Sequence, residues 1–394
     1  MISEKMKQYV SRSSVVRAMF EEGKRLASIY GEENVFDFSL GNPNVKPPED
    51  IKKSAVEILE NESPNLVHGY MSNSGYEDVR SVVAENINKK YNLKISRDNL
   101  VMTCGAAGGL NIILKTIINP GDEVIAFSPF FGEYENYVDN FDGKLVIVPS
   151  NLETFEPDLN VLEDKINERT KAVIINSPNN PTGVVYSEKL ISDMADVLNR
   201  KQEELNSSIY LISDEPYREI AYDGVEVPYM LKYYRNSFVG YSYSKSLSLP
   251  GERIGYVVCS SEMDDFEDTM SALNVANRIL GFVNAPSLFQ RVIGKCIDSK
   301  VDVNIYKKNR DLLYNHLVGI GFSCIKPEGA FYLFPKALIP DDVEFAAEAK
   351  KFNLLIVPGS SFKCPGYFRL AYCISYDKIE KSLDSFDKLA KKYL

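Results

Sequence analysis

SYSKSLSLPGERIGY, residues 242–256, sets a lysine and an arginine eight positions apart across a Pro-Gly turn. The segment just ahead, SFVGYSY, is apolar and aromatic enough to predict a buried strand, so Ser242 and Lys245 fall where that strand leaves its sheet. In α/β sheets such strand ends are where ligands bind. Lys245 is flanked by small hydroxyl residues, Ser244 among them, and can approach a carbonyl closely. The planar donor fork of Arg253 suits a phosphate. Taken alone this reading is weak, because most lysines are solvated surface residues and Pro-Gly turns followed by arginine are common.

Outward from that stretch the chain alternates. DNLVMT, EVIAFS, KLVIVPS, KAVIINS and SIYLISD read as short apolar strands with helical segments between several of them, which predicts a largely parallel α/β sheet with helices on both faces. The first strand runs into TCGAAGGL, whose small residues Gly105, Ala106 and Ala107 open a helix carrying Leu110, Ile112, Ile113 and Leu114. Free amides and the positive dipole end at a helix start make a cradle for phosphate. The turn lacks both the G-x-G-x-x-G spacing and a P-loop lysine, which counts against a nicotinamide or nucleoside triphosphate ligand. Asp214 ends an apolar strand in SDEPYREI, with Tyr217 three residues on; if buried, its carboxylate needs a cation or strong donors, and the competing reading is a helix cap. After residue 283 a smaller α+β unit is expected, with strands FSCIKP, GAFYLFP, NLLIVPG and YFRLAYC. Arg369, in the last of these, is surrounded by apolar residues and calls for a carboxylate, from a ligand or from a structural salt bridge.

Composition bounds the class. The chain has 394 residues, 44% hydrophobic and 25% charged, enough for two domains with a large core. A formal charge of -10 without a long run of one sign argues against nucleic acid or an anionic membrane as the main partner. Six scattered cysteines without a C-x-x-C pair, and only two histidines, leave no zinc or disulfide framework in view. The first 31 residues mix Glu with Lys and Arg, and Val15, Val16, Met19, Phe20, Leu26 and Ile29 form a ragged helical stripe rather than a secretory signal. No stretch approaches the roughly 20 apolar residues of a membrane span. A cytoplasmic protein is the expectation.

A carbonyl and a phosphate on one ligand suggest pyridoxal phosphate, and S-x-S-K followed by P-G-x-R-x-G resembles the lysine signature of the class I/II aminotransferases. Further strings fall in the same order as in that family. They are Gly41 in SLGNPN, the Y-x(4)-G-x(4)-R spacing from Tyr70, the turn at Gly105–Ala107, P-x-F-x-x-Y around Phe131, NPTG at Asn180, and Asp214 with Tyr217. KPEGAFYLF, VPGSSF and Arg369 complete the set. The resemblance, which covers nearly the whole chain, implies fold type I similar to the aspartate aminotransferases. It implies that Lys245 forms the Schiff base and that Gly105, Ala106, Ala107, Ser242, Ser244 and Arg253 hold the cofactor phosphate, with Tyr70 reaching across a homodimer interface. Phe131 would stack on the ring, Asn180 and Tyr217 would bond its phenolic oxygen, and Asp214 would keep its nitrogen positive. Gly41, Asn180 and Arg369 would bind the substrate α-carboxylate, and Arg278 from a second subunit a distal one. The implied domains are an arm with part of the small domain (1–45), the large cofactor-binding domain (46–283), and an interdomain helix with the small C-terminal domain (284–394).

Aminotransfer between an L-amino acid and a 2-oxo acid is the expected activity, with aspartate and 2-oxoglutarate as the first pair. Ala107 stands where many bacterial aspartate-preferring relatives carry a lysine for the distal carboxylate, so aromatic or broad specificity stays open. A carbon–sulfur lyase of similar fold is a second alternative. A cofactor-sensing regulator is a third; such proteins carry a DNA-binding domain ahead of the body, whereas the motifs here begin within the first 45 residues.

Overall fold

The computed structural model describes residues 2–11 and 15–394. A short strand, β1 (Phe36–Asp37), precedes the main sheet of β2 (Leu100–Thr103), β3 (Glu123–Ser128), β4 (Lys144–Pro149), β5 (Thr170–Asn176), β6 (Tyr210–Glu215), β7 (Ser237–Ser242) and β8 (Gly255–Cys259). The order across the sheet is β2-β8-β7-β6-β5-β3-β4. Every neighbouring pair is parallel except β2/β8 and β8/β7, so β8 alone runs against the rest. GYVVC, the segment that forms β8, was not singled out as a strand by the sequence pattern; it occupies the interior between β2 and β7.

Strand alternation builds two cores from one sheet. Val124, Ala126, Ile174, Ile212 and Phe238 point to one face, where they meet Ile112, Ile113 and Leu273. Ile125, Phe127, Val173, Ile175, Leu211 and Val239 point to the other, against Val83, Met194 and Leu198. Apart from Ala126, each such side chain, fully withdrawn from water, contributes roughly 1.5–3 kcal/mol, and this two-sided burial is why the strands read as continuous apolar runs.

The remaining strands are short: β9 (Tyr332–Leu333), β10 (Leu354–Leu355), β11 (Val357–Pro358) and β12 (Phe368–Ala371). β12 lies antiparallel between β11 and β9, while β1 pairs in parallel with β10. A third core, including Phe38, Tyr306, Leu313, Phe331 and Phe368, joins these pieces. Residues 35–38 therefore pack with the C-terminal strands, whereas Lys5 in helix Glu4–Ser11 pairs with Asp142 beside the main sheet.

Two expectations fail. FSCIKP, residues 322–327, forms no strand. Its end is held by the amides of Glu328 and Gly329, both donating to the carbonyl of Gly183, so a contact with the 176–183 loop replaces a sheet partner. In SALNVANRILGFVNAPSLFQRVIG, residues 271–294, the end of helix Phe266–Ile279 and a turn lead into helix Ser287–Lys295. The interdomain helix implied after residue 283 thus stops after nine residues, and the chain continues in a separate helix, Val303–Gly319. Pro286 caps the second helix and Gly281, at φ 87°, lets the chain reverse after the first. The amino-terminal stretch forms two helices, Glu4–Ser11 and Val15–Tyr30, the second with Met19 and Leu26 buried and Ile29 exposed. The side chains of Val15, Val16 and Phe20 lie outside the described residues.

Candidate active site

At the carboxyl ends of β5, β6 and β7 a cavity of about 760 Å³ opens between the main sheet and the C-terminal strands. Lys245, Asp214, Tyr217, Asn180, Ser242, Ser244, Arg253, Ala106, Ala107, Phe131, Gly41 and Arg369 all line it. Residues separated by more than 300 positions thus meet in one space.

The sheet supplies the first group. β7 ends at Ser242, whose hydroxyl accepts the backbone N–H of Ser244 and caps the single helical turn Tyr243–Ser246 that carries Lys245. The Ser242 and Ser244 hydroxyls lie 2.8 Å apart. Arg253 brings one nitrogen within 3.4 Å of the Ser244 hydroxyl and another within 3.4 Å of the Cys104 carbonyl, just ahead of helix Gly105–Ile117. Gly105 adopts φ 70°, and a Cβ there would fall 2.8 Å from the Arg253 guanidinium. Two hydroxyls, a guanidinium and a helix start with no side chain in the way make a concave anion receptor.

Lys245 Nζ donates to the Gly41 carbonyl at 2.7 Å. Burial lowers its pKa from 10.5 to about 8, with the positive charges of Arg253 and Arg369 adding to the effect against an opposing one from Cys373. A substantial neutral fraction near pH 7 to 8 makes the amine a nucleophile and a base. Gly41 is needed for fit, since a Cβ there would clash with the Tyr332 hydroxyl. Its carbonyl, not its amide, faces the lysine.

Asp214 is buried, and its Oδ2 accepts from the Tyr134 hydroxyl at 2.6 Å. Its Oδ1 is buried without a partner. Burial raises this carboxyl's pKa to about 7, the Tyr134 hydrogen bond opposing and Glu215 adding. An orphaned carboxylate oxygen at a cavity wall fits a cationic ring nitrogen. Among the described residues it caps no helix.

Asn180 and Arg369 face each other. The guanidinium donates to Asn180 Oδ1 at 3.0 Å and to the Ser39 carbonyl, and lies 4.7 and 4.8 Å from the ring centres of Tyr332 and Phe362. Its Nε is buried and unpartnered, and no carboxylate of the described residues pairs with it. A clamped, charged fork with a free donor is built to receive a carboxylate. Tyr217 shares a 2.8 Å hydrogen bond with the Tyr332 hydroxyl.

Four of these residues were not assigned by sequence reasoning: Tyr134, Asn176, Tyr332 and Phe362. Asn176 donates to the Asp214 carbonyl at 2.7 Å and accepts the Asn180 amide at 2.7 Å, tying two strand ends together. Tyr134 sits inside the P-x-F-x-x-Y string, three residues after Phe131, so its position was legible though its partner was not. Tyr70 and Arg278 stand apart: Tyr70 is 93% exposed, Arg278 lies exposed on helix Phe266–Ile279, and neither lines the cavity.

This geometry, a reactive lysine, an anion receptor, an acid for a ring cation and an arginine for a carboxylate on a mostly parallel sheet, defines a fold type I enzyme of amino-group chemistry. Residues 33–386 match the model for aminotransferase class I and II, and the chain belongs to that family. It is 30% identical over 389 residues to an aspartate aminotransferase of Thermotoga maritima, covering 96% of this chain and 97% of that protein. A probable N-acetyl-LL-diaminopimelate aminotransferase of Bacillus subtilis is 28% identical, over 91% of this chain and 90% of its own length. Among solved structures, an aminotransferase from Eubacterium rectale superposes with a TM-score of 0.97 at 46% identity, covering 100% of this chain and 99% of that one. The Thermotoga maritima aspartate aminotransferase does so with 0.87 at 28% identity, covering 99% and 100%. The chain is an aminotransferase of a family that uses pyridoxal phosphate. No helix among the described residues is long and apolar enough to cross a membrane.

Proposed function

We propose that this enzyme binds pyridoxal phosphate at the cavity and transfers the amino group of an L-amino acid to a 2-oxo acid, with aspartate and 2-oxoglutarate as the first pair to test. The observation that carries the reading is the orphaned Asp214 Oδ1 in the same cavity as a lysine whose pKa is lowered to about 8. When bound, the cofactor supplies an aldehyde that condenses with amines and a ring that takes up electrons.

The chain's own residues do the rest. Arg253, Ser242, Ser244 and the amides of Gly105, Ala106 and Ala107 hold the phosphate, and Phe131 covers the ring with a flat apolar face. Asp214, steered by Tyr134, holds a proton on the ring nitrogen. Arg369 grips the α-carboxylate, beside Gly41 and Asn180, and so sets the substrate's Cα before Lys245. The neutral Nζ of Lys245 takes the Cα proton. The Asn180 amide nitrogen and the Tyr217 hydroxyl remain to orient the phenolic oxygen.

Tyr70 is proposed to complete the phosphate receptor of a second copy in a homodimer; its exposure supports this, as does that of Arg253. The division into residues 1–45, 46–283 and 284–394 is likewise proposed, supported by the pairing of β1 with β10. A cytoplasmic setting accords with six free cysteines.

The test is a screen of amino acids with the purified holoenzyme and 2-oxoglutarate, following glutamate formed and the absorbance change from aldehyde to amine form. Absence of both with every donor overturns the reading; cleavage of cystathionine without amino transfer gives the lyase instead. Gly105→Ala tests the receptor. The added Cβ meets Arg253, and the residue must hold a positive φ at a cost of about 1 kcal/mol. Pyridoxal phosphate is expected to bind about tenfold more weakly, a difference of about 1.4 kcal/mol, by titration.

A further inference from the structure

Among the described residues four cations line the cavity: Lys245, Arg253, Arg369 and Lys363. The transamination reading commits the first three, to the amine, the phosphate and the α-carboxylate. Lys363 is the remaining one. It directly follows Phe362, whose ring lies 4.8 Å from the Arg369 guanidinium, so it continues the wall that holds the substrate's α-carboxylate. Its Nζ pairs at 2.8 Å with Glu135, on helix Glu133–Asn140, and the two side chains are 37% and 39% exposed. An ion pair this open to water is weak and exchanges partners at little cost.

The other anion at this wall does not compete for the lysine: Glu133 accepts from Asn136 at 2.9 Å. Ala106 and Ala107, across the cavity, carry no charge, and Arg278 does not line it. A dicarboxylate whose first carboxylate docks on Arg369 finds one exchangeable cation among the described residues of the cavity.

We propose that Lys363 selects substrates with a second carboxylate, leaving Glu135 to bind the distal carboxylate of an acidic amino acid or its 2-oxo acid. Glu135 is then an internal competitor. With an uncharged side chain in the site the Lys363–Glu135 pair stays closed, which lets one cavity accept both kinds of substrate in the two halves of a transamination. The inference rests on that reaction and names its substrate class.

The experiment uses the holoenzyme and two substitutions whose effects have opposite signs. Lys363→Met is expected to raise KM for aspartate and 2-oxoglutarate by about tenfold or more, as removal of a charge-assisted hydrogen bond should, and to move KM for alanine and tyrosine by less than about twofold. Glu135→Gln frees the lysine and is expected to lower KM for the dicarboxylates several-fold. Binding of maleate, measured by calorimetry, should weaken in the first variant and tighten in the second, with propionate unchanged in both. A purely structural latch predicts the same direction for both variants and all substrates, and that result overturns the proposal. So does a Lys363→Met enzyme with unchanged maleate binding beside an Arg278→Ala enzyme that no longer binds it, which would give the role to a second subunit. Failure of any amino donor to react in the wild type defeats transamination itself, a separate outcome.

Discussion

Replacing Lys245 with alanine is expected to lower turnover by on the order of 10⁴-fold while leaving the circular dichroism spectrum unchanged. Burial brings the pKa of the Lys245 Nζ down to about 8, and truncation removes the amine together with its hydrogen bond to Gly41. Removing a partly desolvated cation does little harm to the fold, so a fall in activity at constant thermal stability separates chemistry from packing. The same lysine sets a pH dependence. Only the neutral amine condenses with an aldehyde, so uptake of added pyridoxal phosphate by the ligand-free wild type, read by absorbance, should accelerate as pH rises through about 8 and level off above it. The alanine variant should show neither the spectral band nor the pH dependence. Wild-type turnover in that variant, or a spectral band that survives it, places the attachment point elsewhere.

What the sequence reveals depends on how local the determinant is. Ser242, Lys245, Asn180 and Asp214 all lie at or just beyond the ends of apolar strands, and a parallel sheet necessarily gathers such ends along one edge. Their convergence followed from strand identity alone. The contacts that tune them depend on side-chain rotation across elements distant in sequence. Tyr134 reaches Asp214 over 80 positions, and Tyr332 lies between Tyr217 and Arg369 only because β9 and β12 pair with Tyr332 opposite Ala371. No local pattern records that register. FSCIKP shows the same limit from the other side: its end is fastened to a loop rather than to a strand, and an apolar composition signals packing without naming the partner. β8 starts at Gly255, the last residue of the P-G-x-R-x-G string, so its five residues carry no separate strand signal, and its antiparallel direction follows from the turn at Pro250–Glu252 that returns the chain beside β7. Tyr70 and Arg278 are a different case, for both are exposed and neither lines the cavity of its own chain.

Asp214→Asn is expected to move function and stability in opposite directions. The amide keeps the shape and can still accept from Tyr134, but it offers an N–H where the carboxylate offered a negative oxygen, and a ring nitrogen facing it has no reason to stay protonated. Amino transfer should fall by on the order of 10³-fold, comparable to removing a preorganised electrostatic contact from a buried site, and pyridoxal phosphate should bind more weakly. In the ligand-free protein the aspartate is a liability. Its pKa is raised from 3.8 to about 7 by burial, so between those values the folded state holds a proton that the unfolded state has released. The stability that this group contributes is therefore complete below about pH 4 and lost as pH climbs through about 7, with a displacement that corresponds to about 4 kcal/mol. Asparagine carries no such dependence. Thermal unfolding of the two ligand-free proteins should accordingly show the variant gaining on the wild type as pH is raised from about 5.5 to about 8.5, whereas with pyridoxal phosphate present the order should reverse if a protonated ring nitrogen then pairs with the carboxylate. A variant that tracks the wild type at both pH values would mean that Asp214 is solvated rather than waiting for a charged ring.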